Sequence, residues 1–178
     1  MNVSSQNRRH VLARLVRTAS AAAIGTLLPL QSEALERPLG GIILNVDGRL
    51  EVRNTPSGAA FDLALIDALP QHHFSTRAPW YPRARKFSGV LVSDLLKALG
   101  SQAVNVRATA LNDYRVDIPV DTMTQYGALL ATRLDDMTIS VRDKGPLLIM
   151  YPFDNEPDTR TAIHYVQAIW QLRRLELR

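Results

Sequence analysis

Five consecutive apolar residues, Leu147 to Tyr151, follow Lys144-Gly145-Pro146. A strand sends alternate side chains to opposite faces, so a run with no polar position predicts a strand buried on both sides. The fold must therefore supply elements to cover both. To the N-terminal side, "GIILNVDGRLEV" predicts a hairpin, with Ile42 to Asn45 and Leu50 to Val52 as strands and Asp47-Gly48 as the turn. Phe61, Leu63, Leu65, Ile66 and Leu69 fit a short helix ended by Pro70. "SGVLVSDLLKALG" predicts a second helix, with Ser93 as N-cap, Leu95, Leu96 and Leu99 as apolar face, and Gly100 as stop. "AVNVRATAL" and "YRVDIPV" predict two strands joined by an Asn112-Asp113 turn, and Asp121 to Leu130 a helix. A strand in "MTISV" precedes the apolar run, and the acidic loop "FDNEPDTRT" follows it. Ala162 to Leu172 predicts a last helix with Ile163, Val166, Ile169 and Trp170 facing inward, and "RLELR" a closing strand. The sum is a single α+β domain with a mixed β-sheet.

The first 34 residues differ in kind. They contain Arg8, Arg9, Arg14 and Arg17, with Glu33 as their one acid. The whole chain carries 21 Lys and Arg against 17 Asp and Glu, so residues 35–178 hold 17 against 16. The basic balance belongs to the leader, and no nucleic-acid partner is expected. A polar, arginine-bearing start, an Ala-rich apolar run from Thr18 to Leu30 and the small residues Ser32 and Ala34 form the layout of a secretory signal cleaved after Ala34. The run is too short to span a ~30 Å hydrocarbon core, so no stable membrane span is expected after cleavage. Arg8-Arg9-His10-Val11-Leu12 also resembles a twin-arginine export signal, with Val11 in place of the usual Phe and Ala13 in place of the usual Lys. An ordinary export signal, or an amphipathic N-terminal helix on the domain itself, is the alternative. By either export route residues 35–178 are expected to form a periplasmic domain.

Candidate chemistry is sparse. The chain has no cysteine, hence no disulfide and no thiolate ligand or nucleophile. His72 and His73 are adjacent and would point to opposite faces of a strand, so no metal site is expected from them. Ser75 has no G-x-S-x-G elbow around it, and Gly40-Gly41 is no phosphate-cradling motif. The stretch "HHFSTRAPW" gathers Ser75, Thr76, Arg77 and Trp80 as if around a pocket. Arg77, Arg83, Arg85 and Lys86 surround Trp80 and Tyr81, which suits either an anion site or a solvated loop.

Four segments in order, "STRAPWYPRARKFSGVLVSDLLKALG", "ATALNDYRVDIP", "DKGPLLIMYP" and "AIHYVQAIWQLRRLEL", resemble the sulfite-oxidase-type molybdopterin-binding domain. The resemblance covers roughly residues 38–178 and is nearest to short exported bacterial members. In catalytic members a cysteine four residues before a tryptophan holds molybdenum, upstream of an aromatic-x-Gly motif. Here Trp80, Phe87 and Gly89 match, and Thr76 stands at the cysteine position. A threonine hydroxyl is mostly protonated near neutral pH and is a poor substitute for a soft thiolate. The arginine that members often carry after Pro-Leu is Leu148, and Asp154, Glu156 and Asp158 stand where a glycine- and lysine-rich stretch usually follows.

The resemblance, with these departures, implies an exported protein without molybdenum and without a catalytic residue. It would bind an unknown small ligand or a periplasmic protein partner in a pocket of Thr76, Arg77, Trp80, Asn112, Asp113 and Tyr114. The alternatives are a molybdopterin-dependent periplasmic oxidoreductase with a non-cysteine metal sphere, and an unrelated enzyme on the same scaffold.

Overall fold

The computed structural model describes residues 35–178. The predicted leader, with Arg8, Arg9 and the expected cleavage position at Ala34, lies outside the described residues. The elements run β1 (Leu44–Gly48), β2 (Ala59–Phe61), α1 (Leu63–Asp67), β3 (Gln71–Thr76), β4 (Arg85–Leu91), α2 (Val92–Ala98), β5 (Asn105–Ala110), β6 (Arg115–Pro119), α3 (Val120–Gln125), β7 (Leu129–Leu134), β8 (Met137–Thr138), β9 (Leu148–Met150), α4 (Ala162–Gln167) and β10 (Leu172–Leu177). None of these helices is long and apolar enough to cross a membrane.

The strands form two sheets. The first runs β2-β1-β10-β5-β6 and is mixed, because β1 lies parallel to β10 while its other neighbours are antiparallel. The second runs β3-β4-β7-β8, with β9 sharing an edge of β7, and is antiparallel throughout. Leu147 to Tyr151 are all fully buried, as an uninterrupted apolar run requires. Their cover comes from one core cluster that includes Phe61, Phe87, Leu95, Leu129 and Leu175.

The first predicted hairpin does not form. Gly48 has φ of +97°, but the chain does not fold back there. A Cβ at Gly48 would lie 2.0 Å from the Leu177 carbonyl oxygen, so glycine is what lets β1 approach β10. The residues after it pair elsewhere: the N–H groups of Glu51 and Val52 both donate to the Leu99 carbonyl at the end of α2. The partner of β1 on its other side is β2.

The second predicted helix is half strand. β4 runs to Leu91, and α2 begins at Val92 with no side-chain cap, so Ser93 is not the N-cap. Leu95, Leu96 and Leu99 are buried and Gly100 adopts φ of +60°, so face and stop are as read. The predicted helix over 121–130 ends at Gln125, and Leu129 onward is the β7 strand. Gly127, at φ of +59°, separates them.

The last helix is short and rotated. Ile163 and Val166 are 62% and 50% exposed and Trp170 is partly exposed, while His164, Gln167, Ala168 and Ile169 are buried. Aromatic contacts set this phase. His164 meets the rings of Tyr126 and Tyr151 edge-on, at 5.2 and 5.4 Å. The Tyr151 hydroxyl donates to Gln167 Oε1 at 3.3 Å. Gln171, at φ of +50°, turns the chain into β10, which fills the middle of the first sheet.

Near the start of the described chain, Asp62 caps α1 by accepting from the Leu65 N–H at 2.9 Å. Its other oxygen accepts from the N–H groups of Leu39 and Gly40. The Leu65 bond leads these in holding its carboxyl below the usual carboxylate range.

Candidate functional site

β3 ends at Thr76, which pairs with Arg85 at the start of β4. The Thr76 side chain is fully buried. Its hydroxyl donates to the Arg77 carbonyl at 3.3 Å and accepts from the Asp154 N–H at 3.0 Å. Asp154 returns the contact: its carboxylate accepts from the Arg77 N–H at 2.9 Å and from Arg77 Nε at 3.3 Å. Arg160 reaches the same carboxylate at 3.0 Å and donates through Nε to the Phe153 carbonyl at 2.7 Å. The Arg77 N–H, then the Arg77 side chain and the Arg160 charge, hold the Asp154 carboxyl below its usual range. A cleft of about 450 Å³ opens over this pair, lined by Arg77, Tyr81, Phe153, Asp154, Arg160 and Tyr165. Thr76 is beneath it and does not line it.

Trp80 is half-buried at the centre of an aromatic group. It meets Phe153 and Tyr165 edge-on at 6.3 and 6.2 Å, and Trp170 at 5.4 Å. Beyond Tyr165 lies a second cleft, of about 280 Å³, lined by Asn112, Tyr114, Tyr165, Val166, Ile169 and Trp170 among others. Asn112 is held by its own turn, its Oδ1 accepting from the Tyr114 N–H at 3.1 Å. Asp113, at φ of +65°, occupies the left-handed turn position and pairs with Arg173 on β10.

The six residues named from sequence thus fall into separate places. Arg77 lines the first cleft, Asn112 and Tyr114 line the second, Trp80 packs among the rings that stand between, Thr76 lies underneath, and Asp113 faces Arg173. Sequence reasoning missed Asp154, Arg160, Tyr165 and Trp170. Asp154 was legible only as one acid in an acidic loop, with no sign that it faces Arg77. Tyr165 and Trp170 were read as helix positions, yet α4 stops before Trp170.

The basic cluster is largely paired. Arg77 meets Asp154, Arg85 meets Asp135 at 2.6 Å, and Lys86 meets Asp136 at 2.7 Å. His72 bonds Asp94 at 2.9 Å. Among the described residues no three His, Cys, Asp or Glu side chains cluster as a metal would require.

These residues do not fit the molybdenum site that the sequence resemblance implies. The hydroxyl at the metal-ligand position is buried and makes both of its bonds within the protein. Leu148, at the position of the usual arginine, is fully buried in the core.

The solved structures include the sulfane dehydrogenase SoxCD from Paracoccus pantotrophus, with a TM-score of 0.57 at 13% identity over 75% of this chain. The match takes in 37% of that chain, so this protein spans well under half of it. At that identity the likeness concerns the fold. No family model and no curated relative matches the sequence.

Proposed function

We propose that this chain is an exported protein of sulfite-oxidase-type fold that binds a small ligand, or a periplasmic protein partner, without molybdenum. The observation that carries this reading is the Thr76 hydroxyl, buried and bonded to the Asp154 N–H and the Arg77 carbonyl. A metal could reach that oxygen only after both bonds broke and the loop carrying Asp154 moved. The binding surface in this reading is the aromatic cleft. It combines apolar walls with the amide of Asn112, the usual make-up of a small-molecule site. Export rests on the leader, with Arg8-Arg9 as its recognition pair and cleavage after Ala34.

The chain's two tryptophans, Trp80 and Trp170, sit 5.4 Å apart beside this cleft. Their emission therefore reports on its occupancy. A screen of small organic molecules against the purified chain tests the reading. Saturable emission changes that Tyr114→Ala abolishes support it. Absence of any such change, or changes untouched by Tyr114→Ala, contradicts it.

The likeness to a dehydrogenase is the observation that favours a second reading, a molybdopterin-dependent oxidoreductase whose metal lacks a thiolate. The departures at Thr76 and Leu148 weigh against it.

A further inference from the structure

A third cleft, of about 330 Å³, lies on the other side of Tyr81 from Asp154 and Arg160. Its floor is apolar, from the buried Leu134 and Ile139 with the exposed Met137 beside them, and its charged lining is Arg85, Asp135, Arg142, Asp143 and Lys144. Three facts distinguish it from an ordinary polar crevice. First, the Tyr81 hydroxyl is buried and has no hydrogen-bond partner. Buried polar groups in native proteins nearly always have one, so this hydroxyl, on a residue that lines the cleft, lacks a partner that an occupant could supply. Burial pushes its ionisation up, and the charges of Arg85, Asp143 and Asp135 act on it, so it keeps its proton and donates at neutral pH.

Second, Arg142 and Lys144 take part in none of the ion pairs among the described residues, unlike Arg85. The Lys144 ammonium instead lies 5.2 Å from the Tyr81 ring centre and 5.0 Å from that of Trp170. Its backbone has φ of +77°, a strained conformation for lysine. It is held by the Ser140-capped turn before it and by the bond from the Gln171 N–H to its carbonyl. Third, the acids are already engaged. Asp135 accepts from Arg85 Nε and the Lys86 N–H, and Asp143 accepts from the Ser140 hydroxyl. Three cations face two anions, leaving one positive charge to satisfy.

We infer that this cleft binds a small organic monocarboxylate, its carboxylate held by the Tyr81 hydroxyl, Lys144 and Arg142 and its apolar body on Leu134 and Ile139. The surplus positive charge favours an anion over a neutral ligand, and the apolar floor favours an organic body over a small inorganic anion, which would lose its hydration without apolar contact in return. The inference stands apart from the aromatic cleft and needs neither Tyr114 nor Asn112.

Titration calorimetry on the purified full chain tests it, with benzoate and hexanoate as probes, benzamide as the neutral match and inorganic sulfate as an anion with no apolar body. Saturable binding of a carboxylate is expected, with benzamide and sulfate much weaker. Tyr81→Phe removes only the hydroxyl and should weaken carboxylate binding about tenfold, the worth of one hydrogen bond to a charged group. Lys144→Met should weaken it at least as much, and Lys97→Met, on the exposed side of α2 and outside every cleft described, should leave it unchanged. Thermal melts establish that each variant is folded. No saturable binding of either carboxylate to the wild type overturns the inference. So does benzamide or sulfate binding as tightly as benzoate, or carboxylate binding that Tyr81→Phe and Lys144→Met both leave intact.

Discussion

The N–H of Asp154 donates to the hydroxyl of Thr76 across 3.0 Å, joining residues 78 positions apart. The bond pins the loop after β9 onto the end of β3. It also gives the Thr76 oxygen a structural use at the position where the resembling family carries a metal-binding sulfur.

Removing that hydroxyl should therefore destabilise the fold. Thr76→Val keeps the shape but strands the Asp154 N–H and the Arg77 carbonyl. A stranded buried partner costs ~1–3 kcal/mol. Thr76→Ser keeps the oxygen and should cost less. Urea unfolding measures both. A valine variant as stable as the wild type would mean that the bond carries no weight.

Trp80→Ala should cost about 3 kcal/mol, the low end for aromatic truncation, because the ring is only half-buried. The loss comes from its contacts with Phe153, Tyr165 and Trp170. Thermal melts test this. A change near zero would mean that the aromatic group is loosely packed.

Acid should loosen the same region. The Asp154 carboxyl is held low by the Arg77 N–H first, and Asp62 and Asp135 are shifted in the same direction by backbone N–H groups. A carboxyl whose folded value is depressed adds stability that is complete above its unfolded value, about 3.9, and is lost as pH falls through the folded one. These carboxyls should leave stability level above about pH 5 and lower it below about pH 4, while His164, held below its ordinary value by burial, adds a decline that begins as pH falls through the unfolded histidine value of about 6.5. Asp154→Asn should be less stable at neutral pH and show a shallower acid loss. Denaturant midpoints across that range decide; an unchanged acid limb would remove Asp154 from the account.

Some of this was legible in the sequence because it is local. Five apolar residues in a row after Gly145-Pro146 read as a covered strand, and Asn112-Asp113 as a turn. Gly100 was a stop for α2 whatever surrounded it. The rest depended on partners far along the chain. β1 has a clear strand pattern, but nothing near it says that its neighbours are β2 and β10. In α4 the apolar residues Ile163 and Val166 face out. The rings of Tyr126 and Tyr151 draw His164 in, and the Tyr151 hydroxyl draws Gln167. Asp154 read as a repelling acid because Arg77 and Arg160 were not yet beside it.

The leader makes its own prediction. Sequencing the N-terminus of the exported protein should read from Leu35. Changing Arg8 and Arg9 together to lysine should trap precursor inside the cell, since the twin-arginine receptor reads arginine and not charge alone. Undiminished export of the double-lysine variant would assign the general route, and an intact Met1 on the folded protein would rule out cleavage.

Elemental analysis of the protein, purified from cells that make molybdopterin, addresses the central claim most directly. A buried, internally bonded Thr76 hydroxyl predicts molybdenum far below one atom per chain and no pterin released on denaturation. Molybdenum near one atom per chain, with pterin, would contradict the account and make the chain an oxidoreductase with a metal sphere that has no thiolate.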